Sequence, residues 1–155
     1  MIKFHKIKEQ ELLKFQNLFN SEDVILPKRQ TSGSCGYDFY LPYDLLIKAN
    51  SNAVIYSGVK IELDNDLFLM VCIRSSLATK KGIILTNQVG IIDSDYYNNV
   101  DNDGHIMIAV KNTTDDDVLL KKGERVAQGI IFNFLKTNDD DVSASRVGGF
   151  GSTTK

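Results

Sequence analysis

Histidine, cysteine and surplus positive charge are all scarce in this 155-residue chain, and each scarcity removes a class of chemistry. The two histidines, His5 and His105, stand far apart with no HExxH or CxxC partner. That argues against a protein-built zinc site and against a histidine-based nucleophile relay. The two cysteines, Cys35 and Cys72, form no CxxC pair and read as reduced thiols, which points to a cytoplasmic protein. A net charge of -2 argues against stable nucleic-acid binding, which needs a basic face. No apolar run approaches a membrane span, and Met1-Ile2-Lys3-Phe4-His5-Lys6 lacks the apolar core of a signal peptide. There is no internal repeat.

With 43% apolar and 25% charged residues, the chain reads as one ordinary globular domain, 1–155. If it is an enzyme, carboxylates and arginine, with or without a substrate-borne Mg²⁺, must do the work. That set suits phosphoryl chemistry better than acyl transfer.

Residues 8–20 carry Leu12, Phe15, Leu18 and Phe19 at helical spacing, and Ser21 and Pro27 close that segment. The pattern predicts an N-terminal helical extension, 1–21, that serves packing. Beyond it come short apolar runs separated by turn signals such as Asn50-Ser51-Asn52, Asp64-Asn65-Asp66 and Lys122-Gly123. The predicted strands are 24–26, 37–41, 45–47, 53–56, 60–63, 67–73, 83–85, 105–111, 118–120 and 125–134. Strands this short and frequent indicate an all-β sandwich or barrel. Residues 74–80 break the rule, with Ser75 as the expected N-cap of a short helix. A polar linker and tail, 138–155, end the chain.

Five segments carry candidate chemistry. Ile73-Arg74-Ser75-Ser76 places a guanidinium and two hydroxyls where a strand gives way to a helix start, an anion site or a plain cap. In Asn87-Gln88-Val89-Gly90-Ile91-Ile92-Asp93-Ser94-Asp95-Tyr96 an apolar pair delivers Asp93 to a turn, where a carboxylate can orient water and accept its proton. Asp93 and Asp95 as turn formers, with Tyr96 in the core, is the structural alternative. Lys122-Gly123-Glu124-Arg125-Val126-Ala127-Gln128 offers Arg125 for a buried ion pair and Gln128 for phosphate oxygens. Asp38, in Ser34-Cys35-Gly36-Tyr37-Asp38-Phe39, needs a partner if buried: Arg125 or the waters of a metal. Finally, Arg146, Gly148, Gly149, Phe150, Gly151 and Ser152 combine a phosphate fork, close backbone approach and one ring. Such a tail reads as a lid over a nucleotide or as a disordered terminus.

In order and residue type these segments resemble the five motifs of the homotrimeric dUTP diphosphatases (dUTPases): SCGYDFYLP, RSSLA, NQVGIIDSDY, KGERVAQ and GGFGST. The resemblance implies a distorted, jelly-roll-like β-barrel. It further implies a homotrimer whose three active sites take motifs one, two and four from one chain, motif three from a second and the tail from a third. The implied reaction is dUTP plus water to dUMP and diphosphate, with Mg²⁺ on the triphosphate, which keeps uracil out of DNA and supplies dUMP. By position, Asp93 would activate the water. Asn87, Gly90 and Ile92 would shape the hairpin that reads uracil, and Tyr96 would exclude a 2′-hydroxyl. Arg74, Ser75, Ser76 and Gln128 would hold phosphates, Asp38 would sit near the metal's waters, and Phe150 would cover the base. Gly151, Ser152 and Thr153 complete the tail motif.

The chain departs from the family pattern in places. The glycine expected soon after Tyr96 is matched by Gly104, which leaves residues 98–103 as an insertion. The usual arginine of the tail motif stands one residue farther from the double glycine, so Arg146 matches by type but not by spacing. A dCTP deaminase shares this architecture, but there a glutamate on the strand after the hairpin does the chemistry, and residues 105–110 are His-Ile-Met-Ile-Ala-Val. A non-catalytic trimer that binds nucleotide or a protein is the remaining alternative.

Overall fold

The structure is a computed structural model, and it describes residues 1–144, 146, 148 and 149. Eleven strands dominate it: β1 (Lys3–Lys6), β2 (Tyr37–Tyr40), β3 (Leu45–Ile47), β4 (Asn52–Tyr56), β5 (Val59–Glu62), β6 (Leu67–Ile73), β7 (Ile83–Leu85), β8 (Gly90–Asp93), β9 (Met107–Asn112), β10 (Val118–Leu120) and β11 (Arg125–Asn133). Two short α-helices, α1 (Glu9–Leu12) and α2 (Ser75–Lys81), and three 3₁₀ turns interrupt them.

Every strand pairing is antiparallel. The largest sheet runs β2-β11-β6-β8, a three-stranded sheet runs β4-β9-β7, and β1-β5 and β10-β3 form ribbons. Residues alternate inward and outward along β6, with Leu67, Leu69 and Val71 buried, so one face meets the core. Phe39, Ile55, Ile61, Ile83, Val110, Leu120 and Val126 fill that core from different strands. Gly129 on β11 is required by close approach: a Cβ there would sit 2.8 Å from Leu69 Cδ1 and 3.0 Å from Phe39 Cε2.

The N-terminal segment differs from the expected helix. Residues 3–6 form a strand on β5, α1 lasts about one turn, and a 3₁₀ turn at Leu13–Phe15 follows. Phe19 is buried and Leu12 and Phe15 pack against the core, but Leu18 faces solvent, so the apolar stripe is satisfied without a continuous helix. Residues 24–26 are not a strand either: Val24 is buried after the 3₁₀ turn Ser21–Asp23, while Ile25 and Leu26 stay exposed. At α2 the N-cap is Arg74 rather than Ser75, with no side-chain cap bond, and Gly82 closes the helix at φ 63°.

Candidate functional site

Two depressions gather the residues singled out in the sequence. The first is a cavity of about 300 Å³ beside the exposed edge strand β8. Asn87, Gly90, Ile92, Asp93 and Tyr96 all line it. Val71 and Leu85 contribute apolar wall, as do Ile106 to Ala109 at the start of β9. A Cβ on Gly90 would make only ordinary contact with Val71, 3.4 Å from its Cβ. Asp93 ends β8 opposite Phe68 and caps the 3₁₀ turn Ser94–Tyr96, so the strand end projects its half-exposed carboxylate at the cavity.

Tyr96 belongs to both readings made of it: its side chain is buried, yet it lines the cavity. Its hydroxyl donates to the His105 carbonyl at 3.0 Å and accepts from Asn102 Nδ2 at 2.7 Å. Burial pushes the phenol above its usual pKa, so the ring stays neutral.

The tail returns to this cavity. Arg146 Nη2 donates to Asp93 Oδ2 at 2.6 Å, and Nε donates to Asp95 Oδ1 at 2.8 Å. The guanidinium carbon lies 5.6 Å from the Tyr96 ring centroid, within cation–π reach. Burial pulls the Arg146 pKa down, but the Asp95 and Asp93 carboxylates outweigh it and raise it overall. Thus the tail residues 146 and 149 line the cavity of their own chain. Phe150, Gly151 and Ser152 lie outside the described residues.

The second depression, an open groove, collects Asp38, Arg74, Ser75, Ser76 and Gln128. Register explains why residues so distant in sequence meet there. Gln128 on β11 pairs with Asp38 on β2 and with Cys72 on β6, and α2 begins just past the end of β6. Asp38 is buried, with Arg125 Nη1 at 3.0 Å from Oδ2 and Arg74 Nε at 3.3 Å from Oδ1. The expected Arg125 pair is therefore present, and Arg74 joins it. Gly36 stands against Gln128: a Cβ there would fall 2.4 Å from Oε1.

Among the described residues no three His, Cys, Asp or Glu side chains cluster as a metal site. In the groove Asp38 is already held by two guanidiniums. A carboxylate so paired offers no direct ligand set, so a cation in this groove would have to bring phosphate and water as its ligands. The two depressions have no lining residue in common. Sequence reasoning missed Asp95 as the second anchor of Arg146, and Asp101 and Asn102 beneath Gly149. Asp95 sat in a recognised turn, but only the tertiary path of the tail shows what it binds.

Comparisons with known proteins show the family. The dUTPase family model matches residues 22–154. The chain is 39% identical over 137 residues to the deoxyuridine 5′-triphosphate nucleotidohydrolase of Lactococcus lactis, covering 87% of this chain and 91% of that protein. It is 31% identical over 136 residues to the protein of the same name from Helicobacter pylori, covering 84% of this chain and 90% of that one. The crystal structure of dUTPase from Streptococcus mutans superposes with a TM-score of 0.76 at 38% identity, covering 87% of this chain and 98% of that one. The jelly-roll-like fold and the motif order thus meet in one place: the chain belongs to the dUTPase family.

Proposed function

We propose that this protein hydrolyses dUTP to dUMP and diphosphate, with Asp93 activating the attacking water. The observation that carries the reading is Asp93 at the end of β8, facing the cavity shared by Asn87, Gly90, Ile92 and Tyr96. The named relatives support it. The β8 hairpin presents backbone groups to the uracil edge, and the Tyr96 ring closes the sugar face against a 2′-hydroxyl. Asp93 takes a proton from water while the water oxygen bonds the α-phosphorus. The bond from that phosphorus to its bridging oxygen then breaks, and diphosphate leaves. Arg74, Ser75, Ser76 and Gln128 hold the phosphates in a groove whose one carboxylate is neutralised. Magnesium carried on the triphosphate would add neutralising charge there, with Asp38 reaching it through water.

Base cavity and phosphate groove are separate surfaces of one chain, which supports a homotrimer whose sites are completed across subunits. Residues 1–155 form one dUTPase-like domain, with 1–21 as an extension and 138–155 as linker and lid. In the lid, Phe150 covers the base, and Gly151 and Ser152 close on the phosphates with Arg146. A reducing, cytoplasmic compartment suits the free thiols of Cys35 and Cys72. No described helix is long and apolar enough to cross a membrane.

A diphosphate-release assay with Mg²⁺ and dUTP, dTTP, dCTP or UTP tests reaction, base and sugar together. Release from dUTP alone is expected. Ammonia from dCTP without diphosphate from dUTP would overturn the reading in favour of deamination.

A further inference from the structure

The 98–103 insertion is a built platform. Asn99 Oδ1 accepts from the Asp101 and Asn102 amides at 3.1 and 3.2 Å, and its Nδ2 donates to the Tyr96 carbonyl at 2.8 Å. Buried Asp103 anchors the far end, accepting from Lys60 Nζ at 2.8 Å and from the Lys8 amide at 2.7 Å. Lys14 Nζ, from the N-terminal extension, holds the Asp101 carbonyl at 3.1 Å. Gly104 closes the loop at φ 80°, where a Cβ would fall 2.8 Å from the Tyr96 carbonyl.

Two contacts tie this platform to the tail. Asp101 Oδ2 accepts the Gly149 N–H at 2.8 Å. Gly149 is buried so closely on the loop that a Cβ would lie 3.2 Å from Asn102 Cγ and from Asp101 Cβ. The same Asn102 amide donates to the Tyr96 hydroxyl at 2.7 Å. One loop therefore touches the tail on one side and the cavity tyrosine on the other.

We infer that the 98–103 loop is the seat of the C-terminal arm at Gly149, with Asp101 and Asn102 as positioning residues that hold this point of the arm beside the Tyr96 cavity. The inference rests on the dUTP-hydrolysis reading for its effect on rate, but not for the docking itself. Asp101 accepts a backbone N–H, so the seat reads the arm's path rather than its side chains, and Gly149 allows the approach. The seat lies on the chain that carries Asp93 and Tyr96, and it takes an arm of this sequence from whichever protomer reaches it.

The test is a double-mutant cycle in the full chain, Asp101→Ala against Gly149→Pro, which removes the N–H that Asp101 accepts. Asp101→Ala should lower kcat/KM for dUTP about tenfold. Gly149→Pro, which also puts a ring against the loop, should lower it at least tenfold, and adding Asp101→Ala to it should cost little more, because the shared hydrogen bond is already gone. Asp101→Asn, which keeps an acceptor, should recover most of the loss. Independently of activity, trypsin should cut after Arg146 about tenfold faster in Asp101→Ala than in the unaltered protein, since cleavage follows the open population. Multiplying losses, or equal cleavage rates, would overturn the seat. A protein that shows Asp101-dependent protection yet releases no diphosphate from dUTP would instead sink the hydrolase reading and leave the seat standing.

Discussion

Arg146 and Asp93 form a direct ion pair, Nη2 to Oδ2 at 2.6 Å, and Asp95 grips the same guanidinium through Nε at 2.8 Å. The residue assigned to the arm and the residue assigned to the water thus neutralise each other when no nucleotide lies between them. That pair ties up Oδ2 of the proposed proton acceptor, and on the proposed reading Arg146 exchanges Asp93 for phosphate oxygens when nucleotide binds. A triphosphate carries more negative charge than two carboxylates half exposed to water, which favours that exchange.

Asp93→Asn keeps the shape of the strand end but removes the proton acceptor. Turnover of dUTP should fall by roughly 10²–10⁴-fold while KM changes little. Steady-state diphosphate release measures both. Unchanged turnover would remove Asp93 from the chemistry.

Gly36→Ala tests the groove without touching its charges. The added Cβ would displace Gln128 Oε1, the far end of a flexible side chain, so the fold should tolerate it. KM for dUTP should rise about tenfold, the worth of one hydrogen bond to a charged group. Thermal unfolding should stay near that of the unaltered protein. A preserved KM would place Gln128 away from substrate.

His105 predicts an acid-side loss of stability. Its ring is fully buried, Nε2 accepts from the Gly58 amide at 2.9 Å, and Nδ1 faces Glu11 Oε1 at 3.7 Å, too far for a hydrogen bond. Burial, aided by the nearby Lys14 charge, lowers its pKa from 6.5 to about 4. The unfolded chain therefore binds the extra proton between those values. The stabilisation is fully present above pH 6.5 and is lost as pH falls toward 4, a contribution of about 3 kcal/mol. Urea midpoints between pH 4 and 7 should show this slope, and His105→Gln should flatten it. An equal slope in the variant would contradict the assignment.

Much of the fold was legible because turn residues punctuate it. Strands 45–47, 67–73, 83–85 and 118–120 fall where the apolar runs and their flanking turns place them. Residues 3–6 were not legible as a strand, since Lys-Phe-His-Lys has one buried residue and owes its conformation to pairing with β5. The over-long helix has the opposite origin: Leu12, Phe15 and Phe19 share a helical spacing, but the core takes them from a turn and a 3₁₀ segment just as well. In the site, local order found Asp93, Tyr96 and the Arg74-Ser75-Ser76 step because each sits beside a strand end or helix start. The Arg74–Asp38–Arg125 cluster was half visible, Arg125 by charge balance and Arg74 only by register. The contacts of Arg146 with Asp93 and Asp95 join residues about fifty positions apart, and no local pattern encodes them.

The direction of attack is the core of the account, and single turnover of dUTP in H₂¹⁸O measures it. Water directed by Asp93 onto the α-phosphorus puts the label in dUMP and none in diphosphate, and Asp93→Asn should slow that incorporation without redirecting it. Label in the diphosphate would mean attack at another phosphorus, and the assigned geometry would be wrong.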